Sequence, residues 1–211
     1  MRFVEIAKAI VSLVTIVVLG GCAFGRTYGY ADTPVGLQGV SSTGTVAIAV
    51  QDQRGYVVSG GKSATFVGLM RGGFGNPFDV NTSSGGPLAI EVRDAFVRAM
   101  KARGIEVRPV DADVHESAVS IKHHLTDPKP YRAVLVTLKE WKSDTMMSTD
   151  LHYDVTLQVF DAAGAQLAAS NIKGMDNLGN LGLSPNEGIA KASARKLDQL
   201  FEDEKVIAAL K

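Results

Sequence analysis

The apolar residues of this chain change period several times, and each change marks an element. From Ala9 to Leu19 they form a run broken only by Ser12 and Thr15, too short to span a bilayer comfortably. From Ala23 to Gly44 no period holds. This stretch is rich in Gly, Ser and Thr with scattered aromatics (Phe24, Tyr28, Tyr30), and it reads as a tether in which only Val35 and Leu37 have the character to dock on a domain. Thr45 to Val50 then alternates, with Val46, Ile48 and Val50 on one face and Ala47 and Ala49 on the other, predicting a strand buried on both faces. The segment from Gly55 to Gly86 is dense in glycine and reads as one long loop.

Helical spacing begins at Pro87, a residue suited to the start of a helix. It continues through Leu88, Val92, Ala95, Phe96 and Ala99 to Gly104, the expected left-handed cap. Ile105 to Val110 alternates as a short strand, and Asp113 with Glu116 forms a capping-box pattern ahead of Val114, Ala118, Ile121 and Leu125. Ala133 to Trp141, Leu151 to Phe160 and Gln166 to Ile172 predict three strands of an antiparallel meander, the last two joined by the turn Asp161 to Gly164. Ser184, Pro185, Asn186 and Glu187 open a final helix whose inward face is Ile189, Ala190, Ala194, Leu197, Leu200 and Phe201, with a coda from Lys205 to Leu210.

This order predicts an α+β domain over residues 45–211: a mixed sheet of about four to five strands with two main helices packed on one face, preceded by a signal peptide and a flexible tether. The leader extends over residues 1–21. Arg2 and Lys8 precede the apolar run, and Leu19, Gly20, Gly21 and Cys22 follow it in the order of a lipobox, a branched apolar residue, two small residues and a cysteine. Cleavage before Cys22 would leave its thiol as the site of acylation, and residues 22–44 would be the lipidated cysteine and tether. Two or three acyl chains, each methylene contributing about 0.8 kcal/mol, hold a protein on a membrane without a transmembrane helix. Ala23 stands where inner-membrane lipoproteins of well-studied Gram-negative bacteria tend to have Asp, which places the expectation at the periplasmic face of the outer membrane.

Composition removes other classes. The 22 Lys and Arg balance 22 Asp and Glu, and loss of Arg2, Lys8 and Glu5 with the leader leaves the mature chain near neutral, without the basic footprint of a nucleic-acid binder. Cys22 is the one cysteine, so an intramolecular disulfide is impossible. The adjacent His123 and His124 point about 100° apart on a helix, and with His115 and His152 the other histidines and no cysteine to add, no metal site is expected. Gly60, Gly61, Lys62 and Ser63 lack the leading glycine and the helix start of a phosphate loop, so no cofactor is expected. No nucleophile elbow occurs. A non-enzymatic chain is the expectation; an enzyme would need a cleft in which a histidine and a carboxylate, for example His115 or His152 with an Asp, lie within hydrogen-bond reach.

The candidate recognition residues are Asp52 and Arg54 at the end of the first strand, with Arg71 and Phe74 in the glycine-rich segment running to Pro77. Arginine offers a fork for carboxylate or phosphate, and an aromatic beside glycine offers an anchor. The alternative for Asp52 and Arg54 is a local salt bridge that pins a structural loop.

The lipobox, the strand Val46 to Val50 ending in Asp52, Gln53 and Arg54, the glycine-rich segment, Leu88 to Gly104, the strand into Trp141, Lys142, Ser143 and Asp144, and the closing helix together resemble YajG-type bacterial lipoproteins over roughly residues 19–204. The resemblance implies a periplasm-facing lipoprotein with two helices on a mixed sheet, a layout similar to envelope-assembly lipoproteins such as LptE. It implies no mechanism. A binding accessory follows, held on the membrane by acyl chains on Cys22 and presenting a sheet face, an edge or the Arg71–Pro77 loop to an envelope protein, lipid or glycan. A lipid or small-ligand carrier is the alternative.

Overall fold

Residues 26–182 and 185–211 are described by the structure, a computed structural model. The leader, Leu19 to Cys22 and Ser184 lie outside the described residues.

Eight strands form one mixed sheet: β1 (Thr27–Tyr28), β2 (Val46–Asp52), β3 (Phe66–Arg71), β4 (Pro77–Thr82), β5 (Val107–Val110), β6 (Arg132–Thr145), β7 (Thr149–Phe160) and β8 (Gln166–Asn177). The helices are α1 (Gly55–Val58), α2 (Leu88–Ala102), α3 (Ala118–Thr126), α4 (Pro185–Gln199) and α5 (Glu204–Leu210). Long β6 organises the sheet. One of its edges pairs antiparallel with β7 along its whole length, and β7 pairs with β8, giving the expected meander. The other edge is shared. Its first half, Arg132 to Leu138, pairs parallel with β2, and Ser143 to Thr145 pairs parallel with β3. The sheet therefore forks into an arm of β2 and β5 and an arm of β3, β4 and β1, and β6 carries a bulge between Leu138 and Glu140 where the fork opens.

The two faces are unequal. Helices α2, α4 and α5 cover one of them, where Val46, Ile48, Val134, Val136, Phe96, Leu197 and Val206 share a single core filled around Trp141. Among the described residues the opposite face is covered by α3, whose Ile121 and Leu125 pack on Ala47, Ala49, Ala133 and Leu135. This two-sided cover is why β2 is buried at every residue, as the apolar run from Val46 to Val50 predicts for that part of it. Helix α2 ends as expected: Gly104 has φ +77°, its N–H donates to the Lys101 carbonyl, and Ile105 donates to Met100, a Schellman pair.

Three expectations are corrected. The sheet has eight strands rather than four to five, because β1, β3 and β4 lie in segments assigned to tether and loop. The stretch Gly55–Gly86 is not a long loop; it holds α1 and the hairpin β3–β4. Within it Gly68, which breaks the strand pattern, is demanded by packing, since a Cβ there would meet the backbone of Ser143. The tether reading fails from Arg26 onward. Val35 and Leu37 dock on the main core as expected, but Tyr28, Tyr30 and Val40 are buried there too, and β1 pairs parallel with β4.

Two helical carboxylates hold that N-terminal stretch. Buried Glu91 of α2 accepts from the backbone N–H of Tyr30 at 2.6 Å and of Ala31 at 3.3 Å, and it also takes the Ser84 hydroxyl. Asp198 of α4 accepts from Gly36 and Leu37, both at 2.8 Å. Glu91→Ala is expected to raise amide exchange at Tyr30 and Ala31 by about tenfold, equivalent to about 1.4 kcal/mol, while α2 amides keep their protection. Unchanged exchange at these two amides would show that side-chain packing alone seats the segment.

Candidate functional site

The four recognition candidates divide into two places with different jobs. Asp52 ends β2 where the fork opens, and Arg54 turns back into the gap with no solvent exposure. Its guanidinium makes a bidentate pair with the Asp52 carboxylate, at 2.8 Å and 2.6 Å. It also donates to the carbonyls of Trp141 on β6, of Phe66 on β3 and of Ala64 just before β3. Burial alone would lower the Arg54 pKa, but the bonds and charge of Asp52 hold it above the ordinary value. The expectation that Asp52 and Arg54 meet a partner is thus corrected: the pair is an internal plug joining the two arms of the sheet to β6.

Arg71 and Phe74 lie at the tip of the β3–β4 hairpin. Arg71 pairs with Asp144 of β6 through two bonds of 2.8 Å and 2.6 Å, which tie the hairpin to the meander. Phe74 is fully exposed. The neighbouring β6–β7 turn exposes Met146 and Met147 at the same end, because Met70 of β3 pairs with Thr145 of β6.

The outer sheet face beyond α3 carries mostly polar side chains in register, with exposed Met175 among them. Lys142 faces His152, which faces Met175; Glu140 faces Asp154, which faces Lys173; Asp144 faces Asp150, which faces Asn177. Between α3 and β7 runs a groove. Its apolar end, about 290 Å³, is lined by Val119, Lys122, Leu135 and Phe160, and it continues over Leu135 and Gln158 into a wider part of about 630 Å³ beside Thr137, Lys139 and Glu116. Gln51 and Gln53 line the wider part too, but their amides are committed to carbonyls of Asp113, Val114 and Glu116, so they rigidify its wall. An apolar pocket leading into amide, hydroxyl and ammonium groups suits an amphiphilic segment.

The histidine–carboxylate contact named for an enzyme forms at His124, not at His115 or His152. His115 sits in a turn and His152 on the open face, whereas His124, one of the adjacent pair set aside as metal ligands, lies 3.1 Å from Glu116. The same carboxylate oxygen accepts the Ser120 hydroxyl at 2.6 Å. Ser120 is therefore bonded to the carboxylate and not to the imidazole, the reverse of a nucleophile relay. The spacing of Glu116, Ser120 and His124 by four was the available signal. Asp113 and Glu116 do pair across the turn, but the helix cap is Ser117, whose hydroxyl accepts from Ser120 N–H. Among the described residues no group of three or more His, Cys, Asp or Glu could hold a metal ion. Lys62 of the glycine-lysine-serine stretch is taken by Asp79 at 2.6 Å.

On the sheet, three carboxylates are held below the ordinary range: Asp144 by Arg71, Asp154 by Lys173 and Asp176 by Lys196. A lowered folded-state pKa contributes stability that is complete above the unfolded carboxylate range and is lost as pH falls through the lowered value. All three are substantially solvated, so each contribution is small. Melting temperature is expected to stay flat from about pH 7 to 5 and to fall below about pH 4. Asp144→Asn should melt slightly lower at pH 7 and show a shallower acid decline. An acid decline as steep as wild type would place the titrating groups elsewhere.

No protein-family model matches the sequence, and no curated protein matches it. Among solved structures, the chain is similar to a Xanthomonas campestris protein of the DUF330 family, with 11% identity, a TM-score of 0.42, and coverage of 89% of this chain and 90% of that one. The lipoprotein GNA1162 from Neisseria meningitidis is 10% identical with a TM-score of 0.30, over 74% of this chain and 98% of that one. The PelC dodecamer subunit from Paraburkholderia phytofirmans is 14% identical with a TM-score of 0.38, over 81% and 89%. Likenesses of this strength assign neither a family nor an activity to the chain.

Proposed function

We propose that this chain is a lipid-anchored envelope protein, of the YajG-like kind, that faces the periplasm from the outer membrane and acts by binding without catalysis. Acyl chains on Cys22 are the anchor, and among the described residues no helix is long and apolar enough to cross a membrane. The binding surface is the outer-face groove, and the occupant is an amphiphilic segment of an envelope protein. The observation that carries this reading is the unequal cover of the sheet: among the described residues three helices fill one face, and α3 alone covers the other, leaving it open beside Val119, Phe160, Gln158 and Lys139. The bonding of Ser120 to Glu116, away from His124, supports the non-enzymatic reading. No metal or cofactor enters the proposal.

A photo-crosslinker placed at Gln158 in intact envelopes tests the groove. One discrete adduct is expected, abolished by Val119→Glu, with none from a crosslinker at exposed Lys101 of α2, on the other side of the sheet. Adducts of equal yield at both positions, or an adduct indifferent to Val119→Glu, would contradict a groove-specific partner.

A further inference from the structure

We infer that the tips of the β3–β4 and β6–β7 hairpins, bearing Phe74, Met146 and Met147, dock on the lipid surface that carries the chain's own anchor, so that the domain stands on the membrane in a fixed orientation. This rests on the acylation of Cys22 proposed above.

The strand directions bring these groups to one end. Strand β1 runs parallel to β4, with Thr27 beside Asn81 and Tyr28 beside Thr82. Since β4 starts at Pro77, next to the tip, the chain traced backward from Thr27 heads toward that tip. Arg26, the first described residue, lines the same cavity of about 290 Å³ as Met70, Met146 and Met147. Cys22 lies four residues earlier, and four residues reach at most about 14 Å. An acylated Cys22 thus holds this end of the domain against the bilayer.

What that end presents suits a lipid surface. Phe74 is fully exposed, and Met147 and Met146 are exposed to 83% and 56%. Three large apolar side chains protrude from neighbouring turns, and the Arg71–Asp144 pair fixes the turns relative to each other. Interfacial segments bury such groups about 5–10 Å into the headgroup boundary. Arg26 at the same end adds a cation suited to anionic headgroups. At the opposite end the β7–β8 turn Asp161 to Ala165 carries Ala162, Ala163 and Gly164, with Val119 of α3 beside Gly164, and its tip presents no large apolar side chain of its own.

The test uses the acylated full-length protein in phosphatidylethanolamine and phosphatidylglycerol vesicles. An environment-sensitive dye is attached at Gly73→Cys, where an added Cβ meets nothing within 4 Å, or at exposed Ala163→Cys as the far-end control. With acylated Cys22 unavailable, each variant has one reactive thiol. Lipid-borne doxyl groups should quench the dye at position 73 at least threefold more than at 163. Phe74→Ser/Met147→Ser should erase that difference while flotation with vesicles and the acyl mass on Cys22 stay unchanged. Equal quenching at both positions in protein that floats and carries the acyl mass would overturn the docking inference alone. A dye shielded from water but not quenched by lipid would assign the tips to a protein partner or a second copy, and would overturn it as well. Absence of both flotation and acyl mass would instead overturn the anchor on which the inference rests.

Discussion

Replacing Arg54 with methionine is expected to lower the stability of this domain by about 3–5 kcal/mol, the usual consequence of leaving one partner of a buried ion pair uncompensated. At about 2–4 °C per kcal/mol for a domain of this size, the melting temperature should fall by roughly 6–20 °C. The cost has two sources. Asp52 would stay buried without its bidentate partner, and the carbonyls of Trp141, Phe66 and Ala64 would lose a donor at the point where the two arms of the sheet leave β6. Arg54→Lys should be nearly as damaging, because one ammonium cannot bridge a carboxylate and carbonyls on two strands at once. Asp52→Leu/Arg54→Met should lose less than the two single changes added together, and the cycle measures their coupling. A melting temperature for Arg54→Met within about 2 °C of wild type, less than 1 kcal/mol by the same conversion, would show that backbone pairing holds the fork unaided.

Gly68→Ala is the second large effect. The new Cβ would lie 2.1 Å from Ser143 Oγ and 2.6 Å from the Ser143 carbonyl oxygen, and the second of these is β6 backbone that no rotamer change can move. Overpacking of this kind costs about 3 kcal/mol. The loss should be local: amides of β3 and β4 should lose exchange protection while those of β2, β7 and β8 keep it, since the parallel pairing from Gly68 to Met70 is what attaches the second arm to β6. Ser143→Gly in the same chain removes the closest contact but leaves the carbonyl, so rescue should be partial. Uniform loss of protection across the sheet would mean that the arms do not open separately.

These two positions also explain what sequence reasoning could and could not reach. The pattern around Leu88 to Gly104 was legible because its spacing, its opening proline and its capping glycine are all local. The meander of β6, β7 and β8 was legible from alternation within each strand. The N-terminal segment was misread because its stability comes from carboxylates far along the chain: Glu91 is 61 residues from Tyr30, and Asp198 is 161 residues from Leu37. Its Gly, Ser and Thr content is that of a linker, while its backbone N–H groups are those of a docked strand. Strands β3 and β4 were hidden by Gly68, Pro77 and Asn81, residue types depleted in strands, one of which is needed for close backbone approach.

The candidate sites divide the same way. Asp52 and Arg54 stand out in the sequence as a charged pair after an apolar strand, yet that pattern does not distinguish a surface pair from a plug; only the fork in the sheet does. Phe74 was legible as an exposed aromatic in a turn, though its neighbours Met146 and Met147 reach it through the register of β3 on β6. The groove was not legible, because its walls come from α3, β6 and β7 and the committed amides of β2.

The account as a whole depends on Cys22, and the mass of the N-terminal peptide of the protein isolated from envelope membranes tests it most directly. The account predicts a peptide that begins at Cys22 and carries the mass of diacylglyceryl and any further acyl groups, with Cys22→Ala releasing the domain from the membrane fraction. A peptide that begins elsewhere, or an unmodified Cys22 in protein that remains with the membrane, would contradict it.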